Sequence, residues 1–272
     1  VNFDELKSLH VHVGAGVAHV VIDNPPINLF DRVLSRELLP VLKELAENDD
    51  VRAIVLSSDN EEFFIAHFDV ELIVRMPQDM PVPTAPNDFQ MIGELLRTMP
   101  KATICAINGR AGGGGAEIAA SADMVFASPS SVFCQPEVAL GIIPGGGGTA
   151  RLSRTVGRHR AMEIVLAGED IDAYTAAEWG WINRVVSDPV VHSLALADRI
   201  ASFPPKAVAA GKRLVLMAET GIDENLIAEG TVFGAQLSDP RARAAMERFL
   251  SRGGQTREGE LRLGDLAGEI NE

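Results

Sequence analysis

Two glutamates, each set beside a run of glycines, are the residues whose types and spacing can do chemistry in this chain. The first is Glu117, which ends the stretch Asn108-Gly109-Arg110-Ala111-Gly112-Gly113-Gly114-Gly115-Ala116-Glu117. That stretch leaves a strand-like run and opens a helix through residues lacking a β-carbon. Backbone N–H groups at a helix start can point at developing negative charge, and glycines let a ligand approach to contact distance. Glu117 falls about one turn into that helix and, taken alone, reads as a first-turn glutamate favoured by the helix dipole. The second is Glu137 in Phe133-Cys134-Gln135-Pro136-Glu137, ahead of Leu140-Gly141-Ile142-Ile143-Pro144 and glycines 145–148. A carboxylate behind a proline and between apolar residues is open to desolvation and a raised pKa, although alone it is an ordinary loop glutamate. Together, two carboxylates each tied to a glycine-rich turn can flank one small pocket as an acid/base pair. The glycines do not make a P-loop, since no Gly-Lys-Ser/Thr follows, and G-x-G-x-x-G is a weak match in so glycine-dense a run.

These motifs resemble the enoyl-CoA hydratase/isomerase (crotonase) family. The run G-G-G-G-A-E is followed, in the family's order and spacing, by C-Q-P-E-V-A-L-G-I-I-P-G-G-G-G-T with Arg151-Leu152. Upstream, Phe63-Phe64-Ile65-Ala66-His67-Phe68-Asp69-Val70 is similar to that family's F-x-A-G-x-D segment. Downstream, Leu166-Ala167-Gly168-Glu169 and Ala176-Ala177-Glu178-Trp179-Gly180-Trp181-Ile182 resemble its later helical turns, so the likeness runs from Val17 to about Pro240. The resemblance implies an α/β fold, a crotonase-type spiral of β-β-α units with a helical C-terminal layer. It places two oxyanion-hole N–H groups on Phe68 and Gly114, catalytic glutamates on Glu117 and Glu137, and a water- or substrate-contacting backbone group on Gly145. Ala66 and Asp69 are then CoA-binding positions, with Arg110 and Arg151 as candidates for help with the CoA phosphates. His67 stands where the pattern has glycine, which bears on the first N–H donor; its own role is expected to be packing or surface.

The elements that must position these residues follow from periodicity. Val17–Asp23 is β-branched and ends at Asn24-Pro25-Pro26. Asp31 is a plausible N-cap for a helix with Leu34, Leu38, Val41, Leu42 and Leu45 on one stripe, which Pro40 should kink or break. Ala53–Leu56, Thr103–Ile107 and Asp123–Ala127 read as further strands, in an α/β alternation. Met76–Pro86, with four prolines, reads as a loop between short helices that could act as a lid. Ala161–Ala167 should stop at Gly168, Asp172 should cap the next helix, and Val185-Val186 is a last short strand. Consecutive helices then run from Pro189 to Leu250, broken near Pro204-Pro205 and Asp239-Pro240, and the acidic segment 258–272 is expected to fray. The division expected is a spiral core over 1–188 and a helical region over 189–272 for oligomerisation and covering the pocket.

Composition sets the outer limits. The 272 residues, 46% hydrophobic and 23% charged, suit one main core. A net charge of −14 with no basic stripe argues against a nucleic-acid partner. Cys105 and Cys134 lack metal-type spacing and should be buried free thiols, and no apolar run approaches the roughly 20 residues that span a bilayer. The expectation is a cytoplasmic chain with no membrane partner, no metal and no cofactor beyond the CoA carried by its substrate. The resemblance adds a homo-trimer or dimer of trimers. The activity it implies is hydration of a 2-enoyl-CoA thioester, with Glu117 as base and Glu137 as proton donor. The alternatives are an enoyl-CoA isomerase, or another acyl-CoA reaction on this scaffold, using Glu137 alone, and a non-catalytic acyl-CoA-binding scaffold subunit.

Overall fold

The computed structural model describes residues 1–77 and 81–270. Its strands form two sheets. The larger has the order β1-β2-β3-β5-β7-β10, where β1 is Leu9–Gly14, β2 Val17–Ile22, β3 Ala53–Ser58, β5 Ala102–Ile107, β7 Met124–Ala127 and β10 Arg184–Val185. The smaller has the order β4-β6-β8-β9, from Phe63–Ile65, Arg110–Gly112, Val132–Cys134 and Ile171–Asp172. The β1/β2 and β8/β9 pairs are antiparallel and the rest parallel. Each successive strand pair, β3/β4, β5/β6 and β7/β8, gives its first member to the large sheet and its second to the small one. A helical segment follows before the next pair, which is the expected spiral of β-β-α units.

The large sheet is apolar on both faces, as parallel sheets must be when covered on both sides. Ile54, Leu56, Cys105, Ile107 and Val125 point into the main core, while Ala53, Val55, Ile104, Ala106 and Phe126 meet Ala197 and Ala201 on the other face. Side chains alternate between faces with period two, so one strand can serve both layers.

The first three helices are α1 (Arg32–Glu47), α2 (Val70–Val74) and α3 (Asp88–Thr98). The Asp31 side chain caps α1 by accepting from the Val33 and Leu34 amides, and the expected leucine stripe is buried. Pro40 does not break this helix. It lies on the exposed side, where the carbonyl left without its partner can reach water. Between α2 and α3 the expected proline-rich loop has no helix or strand over 81–87; Gln78, Asp79 and Met80 lie outside the described residues.

The helices that follow are α4 (Gly114–Ala119), α5 (Gly148–Thr155), α6 (Arg158–Ala167) and α7 (Ala173–Trp179). Gly168 ends α6 in the left-handed region and Asp172 caps α7, both as expected. The chain then continues as α8 (Pro189–Ala201), α9 (Pro205–Leu216), α10 (Ile222–Leu237), α11 (Pro240–Ser251), α12 (Arg257–Glu260) and α13 (Leu263–Glu269). Breaks fall where the prolines put them, with Pro205 and Pro240 in first turns that need no N–H.

The acidic end is not frayed as far as residue 270. Leu263, Leu266, Ala267 and Ile270 are buried in a cluster with or beside Ile142, Met246 and Phe249. The charge count of this segment obscures an apolar spacing of three and four, which is a helix stripe. No helix among the described residues is long and apolar enough to cross a membrane.

Candidate active site

The segment after β4 is fixed by the chain just before α1, where Phe30 forms an isolated parallel bridge with Phe68. The Phe30 amide donates to the His67 carbonyl at 2.9 Å, and the Asp69 amide donates to the Phe30 carbonyl at 3.2 Å. This pairing uses the groups on either side of the Phe68 amide, whose N–H has no partner among the described residues. Asp69 turns away to cap α2 through the Glu71 amide.

Facing Phe68 is the start of α4. The chain reaches it from β6 through Gly113, at φ 44 and ψ −118, a conformation that glycine takes without strain. A β-carbon at Gly113 would lie 2.7 Å from Glu137 Oε1. One at Gly114 would lie 3.3 Å from the Phe68 nitrogen, so the two main chains meet closely here. The Gly114 N–H, first in its helix, likewise has no partner among the described residues.

Glu117 is the fourth residue of α4, and the second glycine run explains its orientation. Its Oε1 accepts from the Gly146 amide at 2.7 Å and the Gly148 amide at 2.9 Å, at the N-terminus of α5, which leaves Oε2 free of these bonds. Burial pushes this carboxyl up to about 7, and the negative charge of Glu229 adds to the rise. The two amides and Arg151 work against it. Glu137 opens a 3-10 turn, Glu137–Leu140, immediately behind Pro136. Burial first, and the charge of Glu117 second, raise it well above the ordinary range. With its nitrogen turned toward Glu137, the Gln135 amide donates to that carboxyl at 3.1 and 3.2 Å.

Phe68, Gly114, Glu117, Glu137 and Gly145 all line one cavity of about 250 Å³. The rest of its wall is mainly apolar, with Phe89, Leu140, Ile142, Phe233, Phe249 and Leu263 from five separate parts of the chain, and Pro81 and Pro83 from the proline-rich loop. Gly145 contributes backbone there, and its carbonyl accepts from Gln90 Nε2 at 2.9 Å. Ala66 and Asp69 are not in this wall. Ala66 is buried beside Ile27 and Phe63.

The expectation for the two arginines is corrected, and that for His67 is met. Arg110 and Arg151 are not available to a CoA phosphate: both are buried and committed. Arg110 forms a two-pronged pair with Asp170 at 2.6 and 2.7 Å, and Arg151 pairs with Glu94 at 2.7 Å and donates to the Gly146 carbonyl at 2.9 Å. Arg151 thus braces the turn that holds Glu117. His67 is a packed residue, buried against Phe249, with Nε2 2.9 Å from Glu260 Oε1. Both cysteines are buried free thiols, Cys105 pushed up to about 12 by its burial.

Three residues of the site's surroundings escaped sequence reasoning. Glu229 on α10 accepts from the Ala150 amide at 2.7 Å and from the Thr149 hydroxyl. Its signal was a lone acid in the apolar run 226–233. Gln90 and Glu260 gave no local signal; each acts across more than fifty residues of chain.

Chemically, this arrangement offers two amides close together, unpaired among the described residues, and two buried carboxyl groups that hold their protons more tightly than an exposed carboxyl does, Glu117 up to about 7. It can polarise a carbonyl oxygen while moving protons on one side of a neighbouring apolar group.

A profile of the enoyl-CoA hydratase/isomerase family matches residues 12–257. A short-chain-enoyl-CoA hydratase of Clostridium acetobutylicum is 32% identical over 256 residues, 91% of this chain and 96% of the relative. A carnitinyl-CoA dehydratase of Proteus mirabilis is 33% identical over 221 residues, 80% of this chain and 84% of that protein. Among solved structures, a candidate enoyl-CoA hydratase of Streptomyces avermitilis is 39% identical with a TM-score of 0.89, covering 97% of this chain and 98% of its own. With the fold, the paired glutamates and a match over most of its length, the chain belongs to the enoyl-CoA hydratase/isomerase (crotonase) family.

Proposed function

We propose that this protein adds water across the 2,3 double bond of a 2-enoyl-CoA thioester. The observation that carries the reading is that the Phe68 and Gly114 amides and the Glu117 and Glu137 carboxyls line one cavity. The thioester oxygen lies between the two amides, which stabilise the charge that develops on it; losing one such donor typically costs about 3 to 4 kcal/mol of barrier. Water held between the glutamates gives a proton to Glu117 Oε2 as its oxygen bonds to C3. The displaced π electrons move to the thioester oxygen, and the enolate returns them to C2 as Glu137 delivers its proton there. Glu117 ends protonated and Glu137 ionised, and proton exchange with water resets both.

The electrostatics support this division of labour. Burial and the charge of Glu117 hold Glu137 well above the ordinary carboxyl range, which suits a proton donor, whereas Glu117, raised to about 7, is substantially ionised at neutral pH, which suits a base. The named relatives support it too, since one is a hydratase and another a dehydratase, and these run the same chemistry in opposite directions. The test is a panel of 2-enoyl-CoA thioesters followed by loss of conjugated-thioester absorbance. The reading predicts turnover of at least one chain length; binding without turnover across the panel supports the scaffold alternative and overturns this one.

A further inference from the structure

His67 is buried in the wall of the cavity, one residue before the Phe68 amide, and both of its ring nitrogens face acceptors. Nδ1 lies 2.8 Å from the Phe68 carbonyl and Nε2 lies 2.9 Å from Glu260 Oε1. A carbonyl has no proton to give, and Glu260 Oε1 already accepts from the Gln255 amide at 2.5 Å. A neutral imidazole would set a lone pair against one of these oxygens; an imidazolium satisfies both. We propose that His67 is a positioning residue, held as an imidazolium between the Phe68 carbonyl and Glu260, through which the C-terminal segment orients and polarises the Phe68 amide.

The surrounding contacts fit a clamp. The peptide between His67 and Phe68 is held at its carbonyl by the Phe30 amide, and the next carbonyl is held by the His67 ring. A second tie joins the same two segments, because Gln255 Oε1 accepts from the Val70 amide at 2.5 Å. Phe249 lies edge-on to the His67 ring, and Leu263 lines the same cavity. A fixed positive charge beside the place where oxygen gathers electrons acts in a water-poor setting, where it counts for more than in bulk solvent.

The charged groups around the ring favour its charged form. Burial opposes that charge, but Glu260 on α12, the Phe68 carbonyl and Asp69 before α2 together outweigh it and raise the ring above its ordinary value. Glu137 lies across Gly113 from the His67 β-carbon, and the Cys134 thiol sits among Glu137, Glu260 and the Arg110–Asp170 pair. Burial and the charge of Glu117 disfavour the charged form of Glu137, and Arg110 is paired with Asp170, so Glu260, bonded directly to the ring, is the partner that matters.

The proposal rests on reading Phe68 as an oxyanion donor, and its test separates the two. Nitrogen-15 NMR of the full wild-type chain should show both His67 ring nitrogens protonated at neutral pH, with titration above the ordinary histidine value of about 6.5. Glu260→Gln keeps the shape and the acceptor oxygen but removes the charge, and should return the ring toward a neutral tautomer. With butyryl-CoA as a non-reacting probe, isotope-edited infrared should show the bound thioester carbonyl shifting toward its free frequency in Glu260→Gln. In the same variant kcat for hydration should fall about tenfold or more with KM little changed, the pattern of a group acting through geometry in the transition state. A singly protonated ring in the wild type, or a carbonyl frequency and kcat untouched by Glu260→Gln, overturns the proposal. If the wild type hydrates nothing, the hydratase reading fails while the ring and carbonyl measurements still decide this one.

Discussion

Glu117 and Glu229 are seated on the same helix start: Glu117 takes the Gly146 and Gly148 amides, and Glu229 takes the Ala150 amide two residues further on. The helix N-terminus favours both anions, but each makes the other harder to ionise. Glu229 therefore tunes Glu117 without lining the cavity.

Replacing Glu229 with Gln should lower the pKa of Glu117 from about 7, because a neighbouring negative charge that disfavours ionisation is gone. The acid limb of the kcat/KM profile should move to lower pH. Buried groups this close titrate together, so the measured step belongs to the set of carboxyls. An acid limb that stays in place would mean that burial alone sets Glu117.

Substituting the two catalytic candidates separates the hydratase from its nearest rival. Glu117→Gln and Glu137→Gln should each lower hydration kcat by about 10²- to 10⁴-fold, the usual worth of one acid or base group. Double-bond migration needs only one such group. Isomerisation that survives Glu117→Gln but not Glu137→Gln would favour the isomerase.

Stability should also depend on pH in a defined direction. Glu117 and Glu137 hold their protons more tightly folded than unfolded, where the ordinary value is 4.5. Their contribution is therefore complete below about pH 4.5; that of Glu117 is lost as pH rises through about 7 and that of Glu137 as pH rises through its own raised value, because ionising a buried carboxyl costs more than ionising an exposed one. The raised His67 acts in the same direction, its contribution also fading as pH rises through its folded value. Melting temperature of the ligand-free chain should fall across this interval, and Glu117→Gln should flatten the fall. A melting temperature that climbs toward alkaline pH would contradict the assignment.

The site was legible in the sequence to the extent that its parts are local. Gly113, Gly114 and Glu117 sit within one strand-to-helix turn, and Pro136 and Glu137 within another, so residue type and spacing exposed them. The leucine stripe of α1 and the proline starts of α9 and α11 were legible for the same reason. What stayed hidden depends on contacts made across the chain. Arg110 looks like an exposed cation until Asp170 and the Leu261 carbonyl are seen against it. Glu260 looks like one acid in a solvated tail, because its partner His67 is 193 residues away. Pro40 looked like a helix breaker because its type is visible in the sequence and its solvent-facing position is not.

Gly114→Ala should separate folding from activity. Its backbone is not in the left-handed region, so alanine brings no backbone strain there. The added carbon would sit 3.3 Å from the Phe68 nitrogen and 3.0 Å from Phe89 Cζ, crowding the space where a carbonyl oxygen must lie. The variant should melt near the wild-type temperature with kcat lower by about 10²- to 10³-fold, as when an oxyanion donor is removed. Full activity in a folded Gly114→Ala chain would remove this amide from the mechanism.

Phe233 on α10 closes the cavity next to Gly145, with its ring 3.1 Å from where a β-carbon on that glycine would stand. Phe233→Ala should widen the apolar end and shift preference toward longer acyl groups, each further buried methylene contributing about 0.8 kcal/mol. The measurement is the ratio of kcat/KM between long and short enoyl-CoA thioesters, which should rise.

The anchoring of Glu117 has a consequence for the handedness of what leaves the enzyme. With Oε1 tied to two amides, only Oε2 is left to steer the attacking oxygen, and α5 fixes where that atom stands. A planar alkene pinned by its thioester end then shows one face to that atom, so the alcohol carbon should form as a single enantiomer. Loosening the Gly146 or Gly148 tie should let the racemic fraction grow.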